Sequence, residues 1–98
     1  MRLLDVIWNE RFAKKIAEKH GIMTDEVEEV LFAKPHVRKV EKGRISGEHL
    51  YVAYGPTGAG KYLVVFFIRK PGATALPISA REMTGGERKY FHAQKESR

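Results

Sequence analysis

A chain of 98 residues can build one modest hydrophobic core and not two, so a single domain spanning 1–98 is expected. It has no cysteine, which excludes disulfides and thiolate metal sites and fits a reducing, cytoplasmic setting. The net charge of +6 is uneven: residues 1–33 carry five Lys/Arg against seven Asp/Glu, and residues 34–98 carry thirteen against five.

Residues 3–8 read as a short strand. Asn9 is a plausible N-cap for a helix whose apolar stripe is Phe12, Ala13, Ile16 and Ala17. Gly21 ends that helix as its C′ residue, which puts His20 in the last turn, where the helix dipole favours an imidazolium. His20 reads either as a capping histidine or as a proton donor or phosphate contact. Thr24 opens a second helix, with Asp25 and Glu26 in the first turn, Val27, Val30 and Leu31 as its apolar face, and Glu28 and Glu29 in solvent. Pro35 stops it.

Residues 36–42 form a charged strand suited to a sheet edge, and a loop at 43–48 carries Arg44. Residues 49–55 form the next strand, with Leu50, Val52 and Tyr54 on one face and Tyr51 and Ala53 on the other. Residues 61–70 are the central strand, apolar on both faces. The next strand runs from Thr74 into Arg81, and Pro77 within it marks an edge or a bulge. Thr84 and Glu87 make a capping box for a last helix over about 85–94, with residues 95–98 expected to fray. The pattern is α+β: a short N-terminal strand, two helices, a four-stranded antiparallel sheet and a C-terminal helix.

Gly55-Pro-Thr-Gly-Ala-Gly60-Lys61 matches the start of a phosphate-binding P-loop, but Tyr62 stands where Ser or Thr would hold magnesium, and a strand follows where a helix is needed. A hairpin turn is the better reading, with Lys61 as one basic loop residue. The four histidines lack metal-ligand spacing, and no cofactor is implied. Tyr51, Tyr54 and Phe66 serve either as a base-stacking platform or as core. No signal peptide is expected, since Met1-Arg2-Leu3-Leu4-Asp5 reaches an acid early, and the longest apolar run, 62–68, is too short to span a membrane. A basic half beside an acidic segment suits a polyanion partner, most simply nucleic acid, or else is a solvated surface of high pI.

Several words of the sequence point further: Val6-Ile7-Trp8-Asn9-Glu10, Lys19-His20-Gly21-Ile22, Val27-Glu-Glu-Val-Leu-Phe32, Leu50-Tyr-Val-Ala-Tyr-Gly55, and Ile78-Ser-Ala-Arg-Glu-Met-Thr84 with Glu87, Arg88 and Tyr90. Over residues 5–92 the chain resembles the BrnT toxins, which have the RelE-like fold. The resemblance implies a ribonuclease toxin of a type II toxin–antitoxin module, with RNA as substrate and a ribbon-helix-helix antitoxin as partner, and it leaves a homodimer open. It implies a catalytic site of His20, Arg81, Arg88 and Tyr90. Lys61, Arg69, Lys70 and Lys89 would meet RNA. In such a site Arg81 and Arg88 would hold phosphate and His20 would move protons without a metal. The alternative for Arg81 is a structural pair with Glu82 or Glu87. Asn9, Phe12, Ile16, Pro56 and Gly85-Gly86 depart from the family pattern. They support the alternative of a catalytically degenerate RNA- or protein-binding module of the same fold.

Overall fold

The backbone hydrogen-bond pattern yields β1 (Asp5–Val6), α1 (Glu10–His20), α2 (Thr24–Phe32), β2 (His36–Glu41), β3 (Leu50–Pro56), β4 (Tyr62–Lys70), β5 (Thr74–Glu82) and α3 (Gly85–Glu96). The computed structural model describes residues 1–41 and 48–96; the loop expected around Arg44 and the last two residues lie outside the described residues.

The strands form one sheet in the order β1-β5-β4-β3-β2. The four long strands pair antiparallel, as expected from the sequence, and charged β2 is an edge. The N-terminal strand adds a correction. Only Asp5 and Val6 pair, and they run parallel to β5 opposite Thr74 and Ala75, so the sheet is mixed and five-stranded. On β1 the Val6 N–H is taken by the Asp5 carboxylate at 2.8 Å.

Each helix end has a local cause. The Asn9 side chain accepts the Arg11 N–H, and Gly21 closes α1 at φ +66, where a side chain would be strained. At α2 the cap is Met23, whose N–H reaches the Glu26 carboxylate at 3.0 Å. At α3 Thr84 and Glu87 exchange bonds of 2.8 and 3.2 Å, the reciprocal box expected from their spacing. Pro77 sits at a bulge: Phe66 pairs with Ser79 and Phe67 with Pro77, leaving Ile78 unpaired between them.

The sheet has two covered faces. Ala53, Leu63, Val65, Phe67, Ala75 and Ala80 pack under α1 and α2 with Ile16, Val27, Val30 and Leu31. Gly55 lies under α2: a Cβ there would meet Val30 at 3.4 Å and Pro35 at 3.6 Å, ordinary contact distances. The other face carries Val52, Tyr54, Val64 and Phe66 under Phe91 and Tyr90 of α3.

The acidic residues of α2 are not idle in solvent. Glu28 accepts the Trp8 indole N–H at 2.7 Å, and Glu29 accepts the Gly58 N–H at 3.3 Å. The loop from Gly55 to Lys61 is the β3–β4 hairpin, closed by Thr57 N–H to the Lys61 carbonyl at 2.7 Å. A strand follows it, as the rejection of the P-loop reading requires.

Candidate functional site

Register across the sheet assembles the site. His36 on β2 pairs with Tyr54, Tyr54 with Val64, and Val64 with Arg81 on β5. Cross-strand partners share a face, so His36, Tyr54 and Arg81 form one row about 14 Å long beneath α3. Arg38 stands two residues along β2 on the same face, opposite Val52.

α3 closes over this row. Glu87 and Tyr90, three residues apart, leave the helix on one side. Arg81 donates to both Glu87 oxygens, at 2.7 and 2.9 Å. That fork holds the Glu87 carboxyl down at about 2 and, with the same bond as its main cause, pushes the Arg81 guanidinium up. The Tyr90 hydroxyl lies 2.8 Å from His36 Nε2, and its ring meets the Tyr54 ring at a centroid distance of 5.1 Å. Arg38 donates to the Tyr54 hydroxyl through Nε and Nη2 at 3.4 and 3.3 Å, which raises its pKa. A shallow groove of about 380 Å³ runs between Arg38, Tyr54 and Tyr90 on one side and Thr84, Gly86 and Glu87 on the other.

The two arginines of this face differ. Arg81 is spent on Glu87. Arg38 is exposed and makes no ion pair among the described residues, its bonds to Tyr54 being long.

The residues implied by sequence resemblance do not form one constellation. His20 is exposed at the end of α1, in the layer on the other side of the sheet, where it lines a small pocket with Lys15, Lys19, Ile78 and Ser79. Arg88 stacks its guanidinium 4.2 Å above the Tyr62 ring. Two residues along a helix turn a side chain by about 200°, so Arg88 and Tyr90 leave opposite flanks of α3. Of the expected four, Arg81 and Tyr90 belong to the row under α3; His20 and Arg88 do not reach it.

The expected RNA contacts are also dispersed. Lys61 pairs with Glu26 at 3.2 Å, on the α2 side. Arg69 and Lys70 lie at the far end of β4, where Lys70 pairs with Glu48. Arg69 is five residues beyond Val64, about 17 Å along the strand from the row that contains Arg81. Lys89 is exposed on α3. Tyr51 belongs to the core under α1 and α2, stacked on Phe67, and only Tyr54 and Phe66 face α3. Among the described residues no group of three or more His, Cys, Asp or Glu could hold a metal ion. No helix there is long and apolar enough to cross a membrane.

Sequence reasoning missed His36 and Arg38, and named Tyr54 only as a stacking platform or core. The signal was the alternation of polar residues on one face of β2 and the tyrosine at the end of β3; only register joins them.

Residues 8–87 match the family model described as ribonuclease toxin, BrnT, of type II toxin-antitoxin system. The chain belongs to the BrnT toxin family. Its fold is also similar to the 1.1 Å crystal structure of the Brucella abortus ribonuclease toxin, BrnT, at 19% identity and a TM-score of 0.60, covering 83% of this chain and 97% of that one. No curated protein matches it. For a BrnT toxin of a toxin–antitoxin system, an RNA target and an antitoxin partner follow from the family.

Proposed function

We propose that this BrnT toxin cleaves RNA without a metal, by attack of a ribose 2′-hydroxyl on the neighbouring phosphate, in the groove between β2, β3 and the first turns of α3. The observation that supports this most directly is Arg38, a guanidinium without a carboxylate partner among the described residues, beside two phenols. Such a fork can take two phosphate oxygens and stabilise the charge that builds on phosphorus. Tyr54 and Tyr90 fix the groove's shape and offer hydroxyls for ribose and phosphate. A ribbon-helix-helix antitoxin, covering this face in the cytoplasm, is the partner we assign to it.

Tightly induced expression tests the reading. The wild-type chain is expected to arrest bacterial growth with loss of intact mRNA, and Arg38→Ala to abolish both while staying folded. Intact mRNA beside soluble wild-type protein would overturn the reading.

One observation favours a second reading, a binding module without cleavage: Glu87 already fills the Arg81 fork. A pure binder would lose affinity on Arg38→Ala with a steep salt dependence, yet cut no RNA in any condition.

A further inference from the structure

Cleavage in the groove lined by Arg38, Tyr54 and Tyr90 needs a group that moves the 2′-hydroxyl proton, and His20, in the layer across the sheet, is not placed for it. Another imidazole is. His36 Nε2 lies 2.8 Å from the Tyr90 hydroxyl, with the two rings edge to face at 5.4 Å. Tyr90 lines the groove; His36 stands behind it, half-buried against Tyr54 at 5.9 Å. A phenol that lines the groove and an imidazole within hydrogen-bond distance of it make a two-step proton path.

We infer that Tyr90 is the catalytic residue that receives the 2′-hydroxyl proton and that His36 acts through it as the proton acceptor. This inference rests on the RNA-cleavage reading. The 2′-oxygen bonds to phosphorus as its proton passes to the Tyr90 oxygen, and the phenol's own proton passes to His36 Nε2. The bond from phosphorus to the 5′-oxygen breaks, water at the open groove protonates that oxygen, and the imidazolium returns its proton to solvent. The products are a 2′,3′-cyclic phosphate and a 5′-hydroxyl, with no net proton gained or lost. Arg38, on the same strand face, bears the phosphate charge. General acid–base groups of this kind contribute about 10²–10⁴-fold to rate.

The test is single-turnover cleavage of an mRNA transcript, beside binding of a 2′-O-methyl oligoribonucleotide that cannot react. His36→Ala is expected to lower the cleavage rate about 100-fold, with binding of the unreactive analogue unchanged within about twofold. Added imidazole should restore at least about a tenth of the lost rate by filling the vacated place. His36→Gln keeps a hydrogen-bonding amide but no acceptor of comparable basicity, so it should stay folded and slow, and Tyr90→Phe should match it. Folded His36→Ala and His36→Gln proteins that cleave at the wild-type rate would overturn the inference and leave the RNA-cleavage reading standing. So would a rate loss matched by an equal loss of analogue binding with no response to imidazole. Wild-type protein that binds the analogue but never cleaves would overturn both.

Discussion

Arg81, at the end of β5, grips Glu87, in the first turn of α3, through two parallel bonds of 2.7 and 2.9 Å. The same carboxylate accepts the Thr84 N–H at 2.8 Å, so one side chain caps the helix and ties it to the sheet. This pair has a pH signature. Glu87 is held at about 2, first by Arg81, against an ordinary value of 4.5. Its folded pKa is depressed, so its stabilisation is complete above about pH 4.5 and is lost as pH falls toward 2. With side-chain exposures of 35% and 24%, solvent screening reduces the contribution to about 1–2 kcal/mol. Urea unfolding at pH 7 and pH 3 should show the wild type losing about that much more than Glu87→Gln. Equal losses would contradict the assignment.

Glu87→Gln has a second expected effect. A glutamine at this position still serves the capping box, so α3 should start where it does now. The neutral amide competes less well for the Arg81 guanidinium, and phosphate can then use it beside Arg38. Binding of an unreactive oligoribonucleotide is expected to tighten by about threefold to tenfold, with a steeper salt dependence. Unchanged or weaker binding would mean that RNA never reaches Arg81.

Gly85 opens α3 with no neighbour within 4 Å of an added Cβ, and its φ is not in the left-handed region. Gly85→Ala should therefore stabilise the protein by about 0.4–1 kcal/mol, chiefly by restricting the unfolded chain. Chemical denaturation reads this directly.

The Trp8 indole N–H donates to Glu28 at 2.7 Å, joining the segment after β1 to α2. Glu28→Ala leaves that half-buried donor without its carboxylate and is expected to cost about 1–2 kcal/mol, with a lower thermal midpoint. A neutral result would show that water replaces the carboxylate at no loss.

Much of the fold was legible because its causes are local. Asn9, Gly21, Pro35, Thr84 and Glu87 mark helix ends through interactions within a few residues, and alternation along residues 49–55 assigned the faces of β3 correctly. The N-terminal strand was overdrawn for a physical reason: an apolar run at 3–8 does not say how much of it lies against another strand, and only Asp5 and Val6 are in ladder register with β5, with Leu4 and Ile7 donating at either end to the Ala73 and Ala75 carbonyls. The site was less legible. Clustering along the chain drew attention to Arg81, Arg88 and Tyr90, but helical rotation parts Arg88 from Tyr90, and Glu87 claims Arg81, the structural pair that the sequence offered as its alternative. His36, Arg38 and Tyr54 come together through strand register, which no short motif records. A histidine beside a glycine at a helix end drew the reading to His20, while the histidine that touches Tyr90 opens the edge strand.

Cleavage of an mRNA transcript by purified wild-type protein in excess EDTA, with analysis of the new ends, tests the central claim most directly. Metal-independent attack by the 2′-hydroxyl predicts undiminished cleavage that leaves 2′,3′-cyclic phosphate and 5′-hydroxyl ends, and a loss of about 100-fold or more on Arg38→Ala. Cleavage that requires an added divalent cation, or that leaves 5′-phosphate ends, would contradict it.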